Sequence, residues 1–246
     1  MDFVVLTGMV IKVSDVSEYD KRLVILTKER GKIVAFAKGA KRPKSTLMAG
    51  TRLFAFGEFT LYEGKDSYSL NKVDIENFFT DISNDVDAMC YGCYFLEFAD
   101  YYSRENVEST EILKLLYQTL RALLNKKIPN RLIKCIFELK MLTINGEYPN
   151  VFECVLCKSK EVKRFSALKS GTICNNCINQ ISDSVEIETS TVYTMQFIIS
   201  TSIEKLYTFL VKENVLSEFE FILRRYLNLN IEKEFNSLKI LNTILK

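Results

Sequence analysis

Cys154-Val155-Leu156-Cys157 and Cys174-Asn175-Asn176-Cys177 are two Cys-x-x-Cys pairs in tandem. That spacing is the signature of a four-cysteine metal site. Each turn brings two thiolates onto one ion, about 2.3 Å from each sulfur, and two turns complete a tetrahedron with no open position. Such a closed site is structural, because catalytic zinc keeps one position for water or substrate. The chain has no histidine, so an all-sulfur set is the sensible ligand field for zinc. One Zn²⁺ and four thiolates leave a local net charge of about −2. Lys158, Lys160, Lys163, Arg164 and Lys169 stand in or beside the loop and can offset it. The competing readings are two disulfides and a redox dithiol. A dithiol of that kind needs a single Cys-x-x-Cys after a strand of a βαβ unit. The expectation is one structural Zn²⁺ on Cys154, Cys157, Cys174 and Cys177, with Cys90, Cys93 and Cys135 unbound.

The rest of the chain must position that site. It has 246 residues, enough for two domains, and 48% hydrophobic content suffices for packed cores. A net charge of +2 is nearly neutral, so only local asymmetry is informative. The first residues, Met1-Asp2-Phe3-Val4-Val5, do not read as a signal peptide. No stretch reaches the roughly 18 apolar residues of a membrane span. Seven cysteines without an export signal imply a reducing cytoplasm, with nucleoid association for a DNA-binding chain.

Residues 1–78 read as five short strands: Leu6 to Val16, Leu23 to Thr27, Lys32 to Ala37, Arg52 to Tyr62 and Ser67 to Ile75. A change of parity around Gly57 predicts a bulge in the fourth. Five antiparallel strands in this length fit the oligonucleotide/oligosaccharide-binding (OB) barrel, with an SH3-like barrel as competitor. Positive charge is focused from Lys28 to Lys44, where Lys28, Arg30, Lys32, Lys38, Lys41, Arg42 and Lys44 face Glu29 alone. The loop Lys38-Gly39-Ala40-Lys41-Arg42-Pro43-Lys44-Ser45 is suited to a phosphate backbone, or is a solvated loop. Phe36, Phe54, Phe56, Tyr62 and Tyr68 either stack on bases or form barrel core.

The period changes to helical after Phe79. Ser83 is expected to cap a first helix, with Asp85 and Asp87 in its first turn. Cys90 and Cys93 fall within that helix as core thiols. From Asp74 to Glu111 there are ten acids and one arginine, so this stretch should face away from DNA. A second helix is expected from Ser109 to Leu124. A third starts at Pro129 and stops at Asn145-Gly146, with Arg131, Lys134 and Lys140 on its polar side. Phe165 to Ile173 reads as a hairpin delivering the second cysteine pair. Ser190 then opens a long helix reaching Leu210, Ser217-Glu218-Phe219-Glu220 has the form of a capping box, and a last helix spans about Phe235 to Leu245. The organisation expected is thus α+β. Residues 1–78 form an OB domain, and 79–246 form a helical domain with a zinc-binding insertion at about 150–182. DNA is expected on Arg30, Lys32, Lys38, Lys41, Arg42 and Lys44, continuing toward Arg131, Lys134, Lys163 and Arg164.

Several stretches together resemble the RecO family of bacterial recombination mediators, over essentially the whole chain. They are Phe137-Glu138-Leu139-Lys140-Met141-Leu142, Gly146-Glu147-Tyr148-Pro149, both cysteine pairs, Phe165-Ser166, Thr27-Lys28-Glu29-Arg30-Gly31-Lys32 and the basic loop. Lys169-Ser170-Gly171 departs from the glycine-rich form expected there. The resemblance implies binding of single- and double-stranded DNA and annealing of complementary strands. It also implies work with RecR to help RecA replace the single-strand-binding protein SSB on gapped DNA, without enzymatic bond-making. The residues agree on the negative side. Gly31-Lys32 is followed by Ile33, so no Walker motif is formed, and no histidine can act as general base. The alternatives are a ligase-like end-processing enzyme and an RNA-binding accessory protein. In the ligase reading, Lys72-Val73-Asp74-Ile75 carries isoleucine where a nucleotidyl-lysine motif requires glycine.

Overall fold

A computed structural model describes residues 3–244. The first five strands are β1 (Phe3–Asp15), β2 (Lys21–Thr27), β3 (Gly31–Ala37), β4 (Phe56–Glu63) and β5 (Tyr68–Asn77). They close into a barrel in the order β1-β2-β3-β5-β4, with β4 returning to β1. Only the β3–β5 pairing is parallel. This is the OB topology. Alternation drives the closure: Leu6, Val10, Leu23, Ile25, Ile33, Ala35, Phe59 and Leu61 point inward and form one core.

The bulge expected in β4 lies across the ladder. Phe56 pairs with Asn77 and Gly57 with Ile75, so the extra residue is Glu76 of β5. Gly57, Phe59 and Leu61 alternate regularly, and Phe54 breaks parity because it precedes the strand with φ of 68°. Gly57 has a different reason to be glycine: a Cβ there would stand 2.1 Å from the Asp74 carbonyl oxygen.

Helices α1 (Val86–Tyr102), α2 (Thr110–Leu123) and α3 (Asn130–Ile144) follow. The cap of α1 is Asp85, whose carboxylate accepts the Ala88 N–H at 3.0 Å, and Ser83 belongs to a 3-10 turn before it. After α3 come the short strands β6 (Arg164–Ser166), β7 (Gly171–Ile173) and β8 (Val185–Glu186), in the order β7-β6-β8. Three helices close the chain: α4 (Thr189–Ser200), α5 (Glu213–Asn230) and α6 (Asn236–Ile244). The long helix expected from Ser190 stops at Thr201, and Leu210 is exposed. Ser217 is inside α5, which starts four residues earlier at Glu213, so the expected capping box is helix interior. Leu245 lies outside the described residues.

The chain divides into two compact units. One runs up to Leu124 and regains the chain from Asn236; the other is Asn125–Phe235. In the first, α6 packs on α1, whose Glu97 carboxylate accepts the Ser237 N–H and hydroxyl. The barrel is joined to α1 by Phe54, fully buried, whose ring tip would touch a Cβ on Gly92 at 3.0 Å. Asp100 accepts from Lys12 of β1 at 2.7 Å and lies 3.3 Å from the Lys32 ammonium of β3. Burial alone would raise the Asp100 carboxyl, but the two ammoniums hold it below its usual value. Two acids of the stretch expected to face away, Glu97 and Asp100, therefore serve internal joints.

In the second unit, α3 packs against α4 and α5. Two residues of its expected polar side, Lys134 and Lys140, are largely buried. Lys140 donates to the Ile198, Ile199 and Thr201 carbonyls at 3.2, 3.1 and 2.6 Å, satisfying the C-terminal end of α4. Glu138 is 1% exposed and pairs with Lys134 at 3.1 Å.

Candidate metal centre and nucleic-acid surface

The sulfurs of Cys154, Cys157, Cys174 and Cys177 lie within 4.8 Å of one another. The sulfurs of Cys157 and Cys174 are 3.5 Å apart. Four thiolates around one ion at tetrahedral angles require sulfur spacings of roughly 3.8 Å, so the cluster fits a single metal ion. Among the described residues no other group of cysteines, aspartates and glutamates could hold one.

Local hydrogen bonding builds both turns. Cys154 N–H donates to the Ser159 carbonyl at 2.7 Å, and Lys158 N–H donates back to Cys154 at 2.9 Å. Lys158 takes a positive φ of 66°, which turns the chain after the first pair. The β6–β7 hairpin supplies Ile173 immediately before Cys174, and Thr172 ties the hairpin to Asn150 and Glu153. Val155, Val162 and Ile181 pack around the sulfurs.

The thiols are electrically unlike. Burial pushes Cys154 up, but N–H groups of Cys157, Cys174 and Leu156 outweigh it and hold the thiol at about 6. Thiols of Cys157 and Cys174 push Cys177 up to about 12. Sulfurs this close cannot all ionise without a cation among them. Cys90 and Cys93 are half-buried on α1, and Cys135 is fully buried with its thiol pushed well up by desolvation.

The basic loop after β3 is held against the β1–β2 turn. Asp20 accepts the Gly39 N–H at 2.7 Å, Lys41 N–H donates to the Tyr19 carbonyl, and Arg42 lies 5.4 Å over the Tyr19 ring. Lys41 reaches Asp15 at 2.8 Å, an exposed pair worth little. Lys38, Lys41, Arg42 and Lys44 are all exposed. Lys21, whose ammonium donates to the Thr51 carbonyl, adds a cation that the sequence reading left out.

The other expected contacts, Lys163 apart, are engaged by neighbouring groups. Arg30 holds Glu63 at 2.6 Å and the Tyr68 hydroxyl at 2.7 Å. Lys32 serves Asp100. Arg131 holds Glu213 and Glu220 of α5, and those hydrogen bonds raise its pKa further. Burial alone would depress Lys134, but Glu138 outweighs it and the ammonium is raised. Arg164 donates to the Ser184 hydroxyl and carbonyl and pairs with Glu186. Lys163 is exposed, in a cleft shared with Glu186, Glu188 and Glu218. Of the aromatics, Phe54 is core, while Phe36, Phe56, Tyr62 and Tyr68 are half-buried. Phe56 lies against Tyr117 and Tyr62 against Phe3.

Barrel topology, the helical unit and the four-cysteine cluster define a class: OB-barrel proteins with a helical second part that carries a four-cysteine cluster. Comparison with known proteins narrows it. Residues 1–79 match the family model described as Recombination protein O N terminal, and residues 83–239 match Recombination protein O C terminal. The chain is 32% identical over 247 residues to the DNA repair protein RecO of Acetivibrio thermocellus, covering 99% of this chain and 98% of that one. It is 31% identical to the protein of the same name from Alkaliphilus metalliredigens, over 96% and 98%. The chain belongs to the RecO family of DNA repair proteins. No helix among the described residues is long and apolar enough to cross a membrane.

Proposed function

We propose that the chain is a recombination mediator that binds single- and double-stranded DNA and anneals complementary strands. With RecR it helps RecA replace SSB on gapped DNA, and it acts in the cytoplasm at the nucleoid. The observation that carries the DNA reading is the exposed cluster Lys38, Lys41, Arg42 and Lys44, braced on the β1–β2 turn of an OB barrel. Such a cluster binds phosphates without sequence preference, each contact releasing counterions. Two strands held on flexible basic surfaces meet at raised local concentration, and base pairing supplies the energy, so no covalent step is needed.

Lys163 is a secondary contact, weakened by its acidic neighbours. Arg30, Lys32, Arg131, Lys134 and Arg164 add little, because their charges are already offset by carboxylates. The metal is Zn²⁺, held by Cys154, Cys157, Cys174 and Cys177. The all-sulfur set and lack of an open position support a structural ion. The functional test is annealing of complementary oligonucleotides coated with SSB. Acceleration is expected, and a Lys41→Ala/Arg42→Ala variant should lose most of it. No acceleration by the wild-type chain with RecR present would overturn the reading.

A further inference from the structure

Cross-strand register gathers one outward row on the barrel. Ser14 of β1 pairs with Arg22 of β2, and Arg22 with Phe36 of β3. Phe36 pairs with Ser69 of β5, Ser69 with Tyr62 of β4, and Tyr62 with Phe3 at the start of β1. Side chains of directly paired residues stand on the same face of a sheet. Here that face is the outer one, because their sequence neighbours Val13, Leu23, Ala35, Leu61 and Leu70 pack into the barrel core. The row crosses every strand of the barrel. Its length is roughly 24 Å at about 4.8 Å per strand spacing.

The chemistry of the row is aromatic and cationic. Phe36 and Tyr62 are half-buried, and among the described residues no other ring lies on Phe36. Phe3, 54% exposed, extends the Tyr62 surface with ring centroids 3.9 Å apart. Ser69, between Phe36 and Tyr62, is small and walls in neither ring. Arg22 makes no ion pair among the described residues, unlike Arg30, Arg131 and Arg164. The carboxylates beside the row in sequence, Asp15 and Glu63, are paired with Lys41 and Arg30. The row also continues into the basic loop. Lys38 follows Phe36 by two positions, and Arg22 lies next to the β1–β2 turn on which that loop is held. A strand with its phosphates on the loop therefore reaches the row without crossing an unpaired carboxylate of β2 or β3.

We propose that this row is a base-stacking platform that distinguishes single-stranded DNA from duplex. Phe36 and the Phe3–Tyr62 pair take bases by their flat faces, and Arg22 takes a phosphate beside Phe36. The inference rests on the DNA-binding reading above and adds the residues that select a single strand. Every base has a π-face, so such stacking tolerates any sequence. In a duplex those faces are covered by neighbouring base pairs. A base held by its face keeps its pairing edge free, so the held strand can still meet its complement, as annealing requires. The other aromatics of the barrel are engaged: Phe54 is core, Phe56 lies against Tyr117, and the Tyr68 hydroxyl accepts from Arg30.

The test uses the full-length zinc-loaded protein with fluorescent oligo(dT) and with a short DNA duplex, read by anisotropy at several salt concentrations. Phe36→Leu and Tyr62→Leu keep an apolar side chain in place. Each should weaken oligo(dT) binding roughly tenfold, with an unchanged salt slope and duplex binding within about twofold of wild type. Arg22→Ala should instead lower the salt slope on oligo(dT) by about 0.7. The chain has no tryptophan, so Phe36→Trp introduces a lone indole. That variant should bind oligo(dT) as tightly as wild type, and its emission should be quenched at saturation by oligo(dT) but not by duplex. If the leucine variants lose their cooperative unfolding transition, the quenching decides. Full oligo(dT) binding by a folded Phe36→Leu/Tyr62→Leu variant, an equal loss on duplex, or unquenched emission would each overturn the platform and leave the reading of Lys41 and Arg42 standing. Failure of the wild-type chain to bind either DNA would overturn both.

Discussion

Cys154 and Cys174 are the most enclosed members of the four-sulfur cluster, at 0% and 3% exposure. Serine at either removes a thiolate that no neighbour can replace. Cys174→Ser is expected to lose the metal and lower the thermal midpoint by roughly 10 °C or more. Metal analysis should find one zinc per wild-type chain and none in a Cys154→Ser/Cys174→Ser variant. Retention of zinc by the double variant would contradict the assignment. Asp100 makes a second prediction at this scale. Its folded pKa is depressed from the ordinary 3.8, so it contributes stability above that value and loses it as pH falls through the lower, folded value. Asp100→Asn should cost about 1–2 kcal/mol at neutral pH. It should also flatten the acid limb of a urea-denaturation series below about pH 4. An unchanged acid limb would mean that Lys12 and Lys32 do not hold the carboxylate.

At the scale of elements, α3 is the part most unlike its reading. Its apolar residues run all the way round, Leu132, Ile133, Ile136, Phe137, Leu139, Met141 and Leu142 being buried. A helix apolar on every side lies inside a unit, and charges set in it must find partners there. That was the available signal for Glu138 and Lys140. Lys140→Met keeps the stem and leaves three carbonyls of the α4 terminus without their donor, so it should cost about 2–3 kcal/mol in the denaturation midpoint. A neutral result would show that water replaces the ammonium. In the barrel, Gly57→Ala must displace the Asp74 carbonyl and should cost roughly 1–3 kcal/mol.

For the whole molecule, the boundary between units matters more than the boundary between sequence patterns. The periodicity changes near Phe79, but the compact unit that holds the barrel also holds α1, α2 and α6. A fragment of residues 1–78 would expose Leu26 and Phe54, now fully covered, and would leave Lys12 and Lys32 without Asp100. It should aggregate or show no cooperative unfolding transition by circular dichroism. A soluble, cooperatively folding fragment would show that the barrel needs none of these helices. Charge acts at this scale as well. Lys41→Ala/Arg42→Ala should reduce the slope of log affinity against log salt by about 1.4 on single-stranded DNA, without changing sequence preference. An unchanged slope would move the phosphate path off the loop.

The four-cysteine cluster was legible locally, because two Cys-x-x-Cys turns in tandem present two pairs of sulfurs at the spacing of one tetrahedral site. The five strands were legible for the same reason: inward and outward residues alternate within a few positions of each other. The fate of the cations was not local. Lys41 and Arg131 look alike in a sequence, each a basic residue in a polar context. Tertiary packing set Arg131 between Glu213 and Glu220, more than eighty positions away, and left the loop of Lys41 on the surface. The row that joins Arg22, Phe36, Tyr62 and Phe3 likewise appears only when the strands pair in register. Register between distant strands is a property of the folded barrel, and no window of the chain contains it.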